Sequence, residues 1–182
     1  MPMRTRTALL LAVVLTTGGL TGCSSLTAVM GLGSCDGSEE RVERIRSIAL
    51  LDAPPEGATE PRGYEGVEAS CWEDSGDAAI SAGHTYAFPG TPAEVIRHYR
   101  TEAARDGWRP GPSLPSTPEV PIDLCFTRSV DGIPTILTVY SLTPGSFGAT
   151  EEHPFPPELT TGSGFHVEAM ADAAGEAIDC ES

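Results

Sequence analysis

Two runs of alternating apolar residues meet at Asp131-Gly132, and that junction constrains the fold more than any other stretch of the chain. Ile122, Leu124 and Phe126 alternate up to Val130, and residues 133–142 return with Leu137 and Val139 in matching phase. Asp-Gly is the chemistry of a two-residue hairpin turn, whose central positions both take positive φ. Such a turn pairs Phe126 with Leu137 and Leu124 with Val139, so one face of the hairpin is apolar. The other face holds Cys125, Thr127, Ile136, Thr138 and Tyr140. A sheet with one apolar face needs a cover.

The cover is legible at residues 91–107. Thr91 is a good N-cap, Pro92 fits the first helical position and Glu94 completes a capping box. Val95, Ile96, Tyr99 and Ala103 form the apolar stripe, which leaves Arg97, His98, Thr101 and Arg105 for water. Gly107 stops the helix and Trp108 folds back onto the stripe. Upstream, Ser38 opens a short helical pattern that Pro54-Pro55 end. Residues 64–72 alternate, with Val67, Ala69 and Cys71 on one side and Glu68, Ser70 and Trp72 on the other. After the turn residues Asp74-Ser75-Gly76-Asp77, a strand over 82–88 puts His84, Tyr86 and Phe88 on one face. A last strand over 164–170 turns Phe165, Val167 and Ala169 inward. Strands with an inserted helix predict an α+β two-layer sandwich: a mainly antiparallel sheet of about five strands with one main helix packed on it. Residues 38–182 are expected to form this single domain.

The start of the chain reads as an export signal, residues 1–22, and is excluded from the fold. Arg4 and Arg6 precede an apolar run, Ala8 to Leu15, too short for the ~20 residues that span a bilayer. Leu20-Thr21-Gly22-Cys23 follows and resembles a bacterial lipobox. The resemblance implies diacylglyceryl transfer to the Cys23 sulfur and cleavage before it. Residues 23–37, small and Gly/Ser-rich, then serve as anchor and tether. The expected location is the extracytoplasmic face of the cell membrane. Two or three acyl chains hold durably where one is marginal.

Five cysteines thus divide into Cys23 for lipid and Cys35, Cys71, Cys125 and Cys180. An even number in an exported chain reads as two disulfides, and four cysteines allow three connectivities. A zinc site would want Cys-x-x-Cys spacing, which is absent, so no metal and no cofactor are expected. The expected pairing is Cys71–Cys125 within the sheet and Cys35–Cys180 joining the ends. One conflict accompanies it. Cys71 shares its phase with inward Val67 and Ala69, whereas Cys125 lies opposite inward Leu124 and Phe126, unless a bulge at Gly66 reverses the parity.

Composition closes several mechanisms. All 11 basic residues are arginine, and the chain holds no lysine, asparagine or glutamine. There is consequently no Walker A loop, no Schiff-base lysine and no Cys-His-Asn triad. A net charge of −15, which becomes −17 once Arg4 and Arg6 leave with the signal, disfavours nucleic acid as a partner. The segment Tyr86 to Arg100, with Asp106-Gly107-Trp108 and Leu124-Cys125-Phe126-Thr127, resembles small uncharacterised actinobacterial lipoproteins. That resemblance implies the same strand–helix–hairpin unit and brings no catalytic residues.

Four histidines, His84, His98, His153 and His166, are the natural catalytic suspects, and each reads as a solvent-facing or rim residue. His153 beside Glu151-Glu152 could hold a metal weakly; Glu73, Asp74 and Asp77 read as a solvated turn rather than a calcium loop. Loops 109–121 and 143–163 must lie at one end of the sheet, and Phe147 and Phe155 on the second suit a contact surface. No catalytic residue is expected. The reading is a lipid-anchored, non-enzymatic module that binds or scaffolds an envelope protein partner, tied to the membrane through Cys23. Its alternatives are a small-molecule or ion-binding lipoprotein, marked by a deep apolar pocket, and a hydrolase, marked by converging acids or a Ser–His pair.

Overall fold

The computed structural model describes residues 34–112, 121–146 and 154–180. Cys23 and the signal, Phe147 and His153 lie outside the described residues. The hairpin is as the turn chemistry requires. Asp131 and Gly132 take φ of 50° and 88°, and β4 (Asp123–Val130) pairs β5 (Ile133–Ser141) with Phe126 opposite Leu137 and Leu124 opposite Val139. A second tight turn, Ser75 (φ 52°) and Gly76 (φ 97°), joins β1 (Glu68–Asp74) to β2 (Asp77–Phe88).

The sheet has six strands rather than about five, in the order β1-β2-β6-β5-β4-β3, and every neighbouring pair is antiparallel. The additional strand is β3 (Arg109–Pro110), two residues laid against β4. The last strand in sequence, β6 (Ser163–Asp172), is inserted between the two hairpins and ties them together. β2 begins five residues earlier than its apolar pattern suggests. Ala78 to Gly83 is poor strand sequence, but pairing on both sides overrides its weak propensity.

Two helices supply apolar stripes to one face: α1 (Glu39–Arg46) and α2 (Pro92–Arg105). The Glu94 carboxylate accepts from the Thr91 N–H at 2.8 Å and from its hydroxyl at 2.9 Å, which starts α2 and holds that carboxyl below its usual range. At the other end Gly107 N–H donates to Ala104 and Trp108 N–H to Ala103, with Gly107 at φ 78°. Trp108 is thereby buried as expected, and the Arg128 guanidinium lies over its ring at 4.6 Å. Ile45, Leu51, Val95, Tyr99 and Ala103 share one core with Ile80, Phe126, Leu137, Val139, Phe165 and Val167.

The disulfides are Cys35–Cys71 and Cys125–Cys180, so the expected pairing was wrong. Strand order explains why. β1 and β4 are four strand steps apart, about 19 Å at ~4.8 Å per step, whereas a disulfide needs Cα atoms within about 7 Å. The parity conflict was also real: β1 runs without a bulge, Cys71 faces the helices and Cys125 faces the other way.

Candidate functional site

Strand phase separates two histidine clusters onto opposite faces of the sheet. On the helix-covered face, His84 is 2 % exposed rather than a rim residue. Tyr86, two residues on, donates its hydroxyl hydrogen to the Leu51 carbonyl at 2.8 Å. Its oxygen therefore accepts from His84 Nδ1 at 2.5 Å, and Asp52 Oδ1 stands 3.0 Å from the same nitrogen. His84 Nε2 lies 2.8 Å from Glu60 Oε1, although no aligned hydrogen bond forms there. A nitrogen lone pair facing a carboxylate at that distance repels it, whereas a proton on Nε2 attracts it. His84 thus stands between two carboxylates of the connector 49–60. Burial, and then the charges of Asp52 and Glu60, push the Tyr86 phenol well above its ordinary range.

His98 is not purely water-facing either. It is half-buried on α2 and its Nε2 donates to the Ala53 carbonyl at 2.7 Å, pinning the same connector to the helix. Both histidines work as fasteners for residues 49–60.

The opposite face is different. There Tyr140 on β5, His166 on β6 and Thr85 on β2 stand in one cross-strand row, and Thr138, Glu168, Gly83 and Glu68 in the next. His166 Nδ1 is hydrogen-bonded to Thr85 Oγ1 at 2.9 Å, and its ring lies 5.4 Å from that of Tyr140. The imidazole leans over Gly83, where a Cβ would sit 2.2 Å from Nε2, so only glycine leaves room for it. The result is a trough of about 340 Å³ lined by Glu68, Ser70, Ser81, Gly83, His166 and Glu168.

Burial, with a smaller repulsion from His84, lowers His166 to about 4, so it is a neutral ring at neutral pH. Burial also raises Glu168, and burial together with Glu168 pushes Tyr140 up to about 12. Neither Ser70 nor Ser81 is hydrogen-bonded to His166 among the described residues, so the trough holds no serine activated by an aligned base. Also among the described residues, no three His, Cys, Asp or Glu side chains are placed to hold a metal ion.

Other concavities are shallower in chemistry. One, of about 370 Å³, is an open groove between Thr59, Phe88, Glu158 and Gly162. Phe155 is half-buried just before a 3-10 turn at Pro157–Thr160; its expected companion Phe147 lies outside the described residues. The open-face row was within reach of the sequence. Alternation already placed Tyr140 on the polar face of the hairpin and His166 opposite inward Phe165 and Val167, but nothing in the sequence set β6 beside β5.

No helix among the described residues is long and apolar enough to cross a membrane. Compared with family models, with curated proteins and with solved structures, the chain matches none.

Proposed function

We propose that this chain is a lipid-anchored, extracytoplasmic binding module of the cell envelope, with the open sheet face as its working surface. The observation that carries the reading is the row Tyr140–His166–Thr85 and the trough beside it. A two-layer packing, with both helices on one side, leaves half-buried Tyr140 and His166 for a ligand or partner, with buried Thr85 holding the His166 ring. Two disulfides fit an oxidising compartment, and the Leu20-Thr21-Gly22-Cys23 sequence fits attachment to the membrane through Cys23. The trough is polar rather than a deep apolar pocket, which favours a protein or other polar partner over a lipophilic small molecule.

Two experiments test the reading. A Cys23→Ala variant should leave the membrane fraction, and retention there would remove the anchor. A photo-crosslinking residue at Ser81, in the trough, should give a discrete adduct in intact cells. The same residue at Arg100, on the exposed side of α2, should not. Equal adducts at both positions, or none at either, would overturn the open face as the binding surface.

A further inference from the structure

The two edges of the sheet are unlike. β3 is two residues long and ends in Pro110, which has no N–H to offer. At the other edge β1 runs seven residues in unbroken register with β2, without proline or bulge. The Ser75-Gly76 turn fixes which of its groups face outward. In a two-residue hairpin the flanking pair, here Asp74 and Asp77, is hydrogen-bonded, and the phase alternates from there. Asp74, Trp72, Ser70 and Glu68 therefore direct N–H and C=O toward β2. Those of Glu73, Cys71 and Ala69 point away from the sheet, and none of the three has a further backbone partner among the described residues.

Two more features single out this edge. Trp72 is 45 % exposed, the large apolar side chain that the described residues leave in water, and it stands on the open face within β1. Glu65, Glu68, Glu73, Asp74 and Asp77 surround it in sequence, with Arg62 as the nearest cation along the chain. Residues 34–36 meet β1 through the Cys35–Cys71 disulfide and through the Glu73 carboxylate, which accepts from the Cys35 N–H at 2.6 Å. They do not engage its backbone.

We propose that β1 is a docking edge for an extended, arginine- or lysine-bearing segment of a partner protein, which adds as a seventh strand. The proposal rests on the binding-module reading and names the partner's chemistry. Outward Ala69, Cys71 and Glu73 supply the main-chain bonds. Glu68 meets a cationic side chain, and the Trp72 ring takes an arginine or aromatic neighbour. The acids also decide against a second copy of this chain, whose own β1 carries the same negative charges.

The test uses the lipidated chain from Cys23 onward in a non-ionic detergent and three heptapeptides. One alternates arginine with valine, one alternates glutamate with valine, and one is the arginine peptide N-methylated at alternate amides. The arginine peptide should shift tryptophan emission and slow amide exchange at Ala69, Cys71 and Glu73 by about tenfold or more. Binding should weaken about tenfold with the N-methylated peptide, with Trp72→Ala, and in about 0.5 M salt, and more with the glutamate peptide. Equal binding of the N-methylated peptide would overturn strand addition, and equal binding of the glutamate peptide would overturn the charge argument. Slow exchange at the three amides before any peptide is added would mean that the edge is already occupied, and would also overturn it. A peptide that shifts the His166 ring signals and leaves the β1 amides unchanged sinks the edge but leaves the binding module standing. The module itself fails only with the Ser81 cross-linking experiment.

Discussion

On the helix-covered face, His84 is enclosed, touches two carboxylates and a phenol, and ties a connector to the sheet. On the open face, His166 rests over a glycine, keeps one hydrogen bond, and turns its other nitrogen toward a polar trough. Each face also carries a disulfide. Cys35–Cys71 fixes the entry to α1 against the core, and Cys125–Cys180 fastens an exposed tail. The contrast teaches that residue type does not announce role. The same imidazole is a fastener where loop acids surround it, and lines a polar trough on the other face of the sheet.

The disulfides offer the largest way to break this comparison. The loops closed span 36 and 55 residues, for which chain entropy alone gives about 4 kcal/mol each. Replacing Cys35 and Cys71 by serine should cost close to that. Replacing Cys125 and Cys180 should cost clearly less, because exposed residues 174–177 and 179 regain freedom in the folded state as well. Urea unfolding of both variants measures the difference, and equal losses would deny the asymmetry.

The histidines come next. His84→Ala leaves Tyr86 and the connector acids without their shared partner and should cost about 3 kcal/mol. His166→Ala removes one hydrogen bond and a ring contact and should cost about 1 kcal/mol. A His166 variant that destabilises more than the His84 variant would reverse the roles assigned to the two faces.

Acid titration sharpens the contrast further. Unfolded His166 takes up a proton near pH 6.5, whereas the folded ring does so only near 4. The unfolded state therefore binds more protons between those values, and stability is fully present above about pH 6.5 and is lost as pH falls toward 4. Glu168 acts in the opposite sense. Its raised folded value makes its contribution largest in acid and erodes it as pH rises. The loss from His166 alone should be about 3 kcal/mol, Glu168 offsets part of it, and His166→Phe should flatten that part of the curve. A slope unchanged in the variant would exclude His166 as its source.

Gly83→Ala is the smallest and most local test. A methyl group 2.2 Å from Nε2 must push the ring outward, at a cost of about 1 kcal/mol. Released into water, His166 should titrate closer to 6.5 than to 4 by ring-proton NMR. A ring that still titrates near 4 would show that the trough does not depend on the glycine.

Local chemistry explains what was legible beforehand. The Asp131-Gly132 turn set the β4–β5 register residue by residue, and Thr91, Pro92, Glu94 and Gly107 bounded α2 to within two residues. Each of those signals is complete within a few positions of sequence. What stayed hidden depended on distant partners. Asp52 and Glu60 lie more than twenty residues before His84, and only the fold brings them to its two nitrogens. The placement of β6 between β2 and β5 is a choice among strand orders that alternation does not make. Both the disulfide pairing and the Tyr140–His166 row follow from that one choice.

The Cys35–Cys71 bond has a mechanical consequence. Traction on the chain from the N-terminal side arrives at Cys35, four residues before α1 begins. Without the bond, that load would peel α1 off the core turn by turn. With it, the force passes into β1 through a covalent link and is shared by the ladder to β2. The helix is shielded from strain, and reduction of a single bond would transfer the pull from the sheet to the helix.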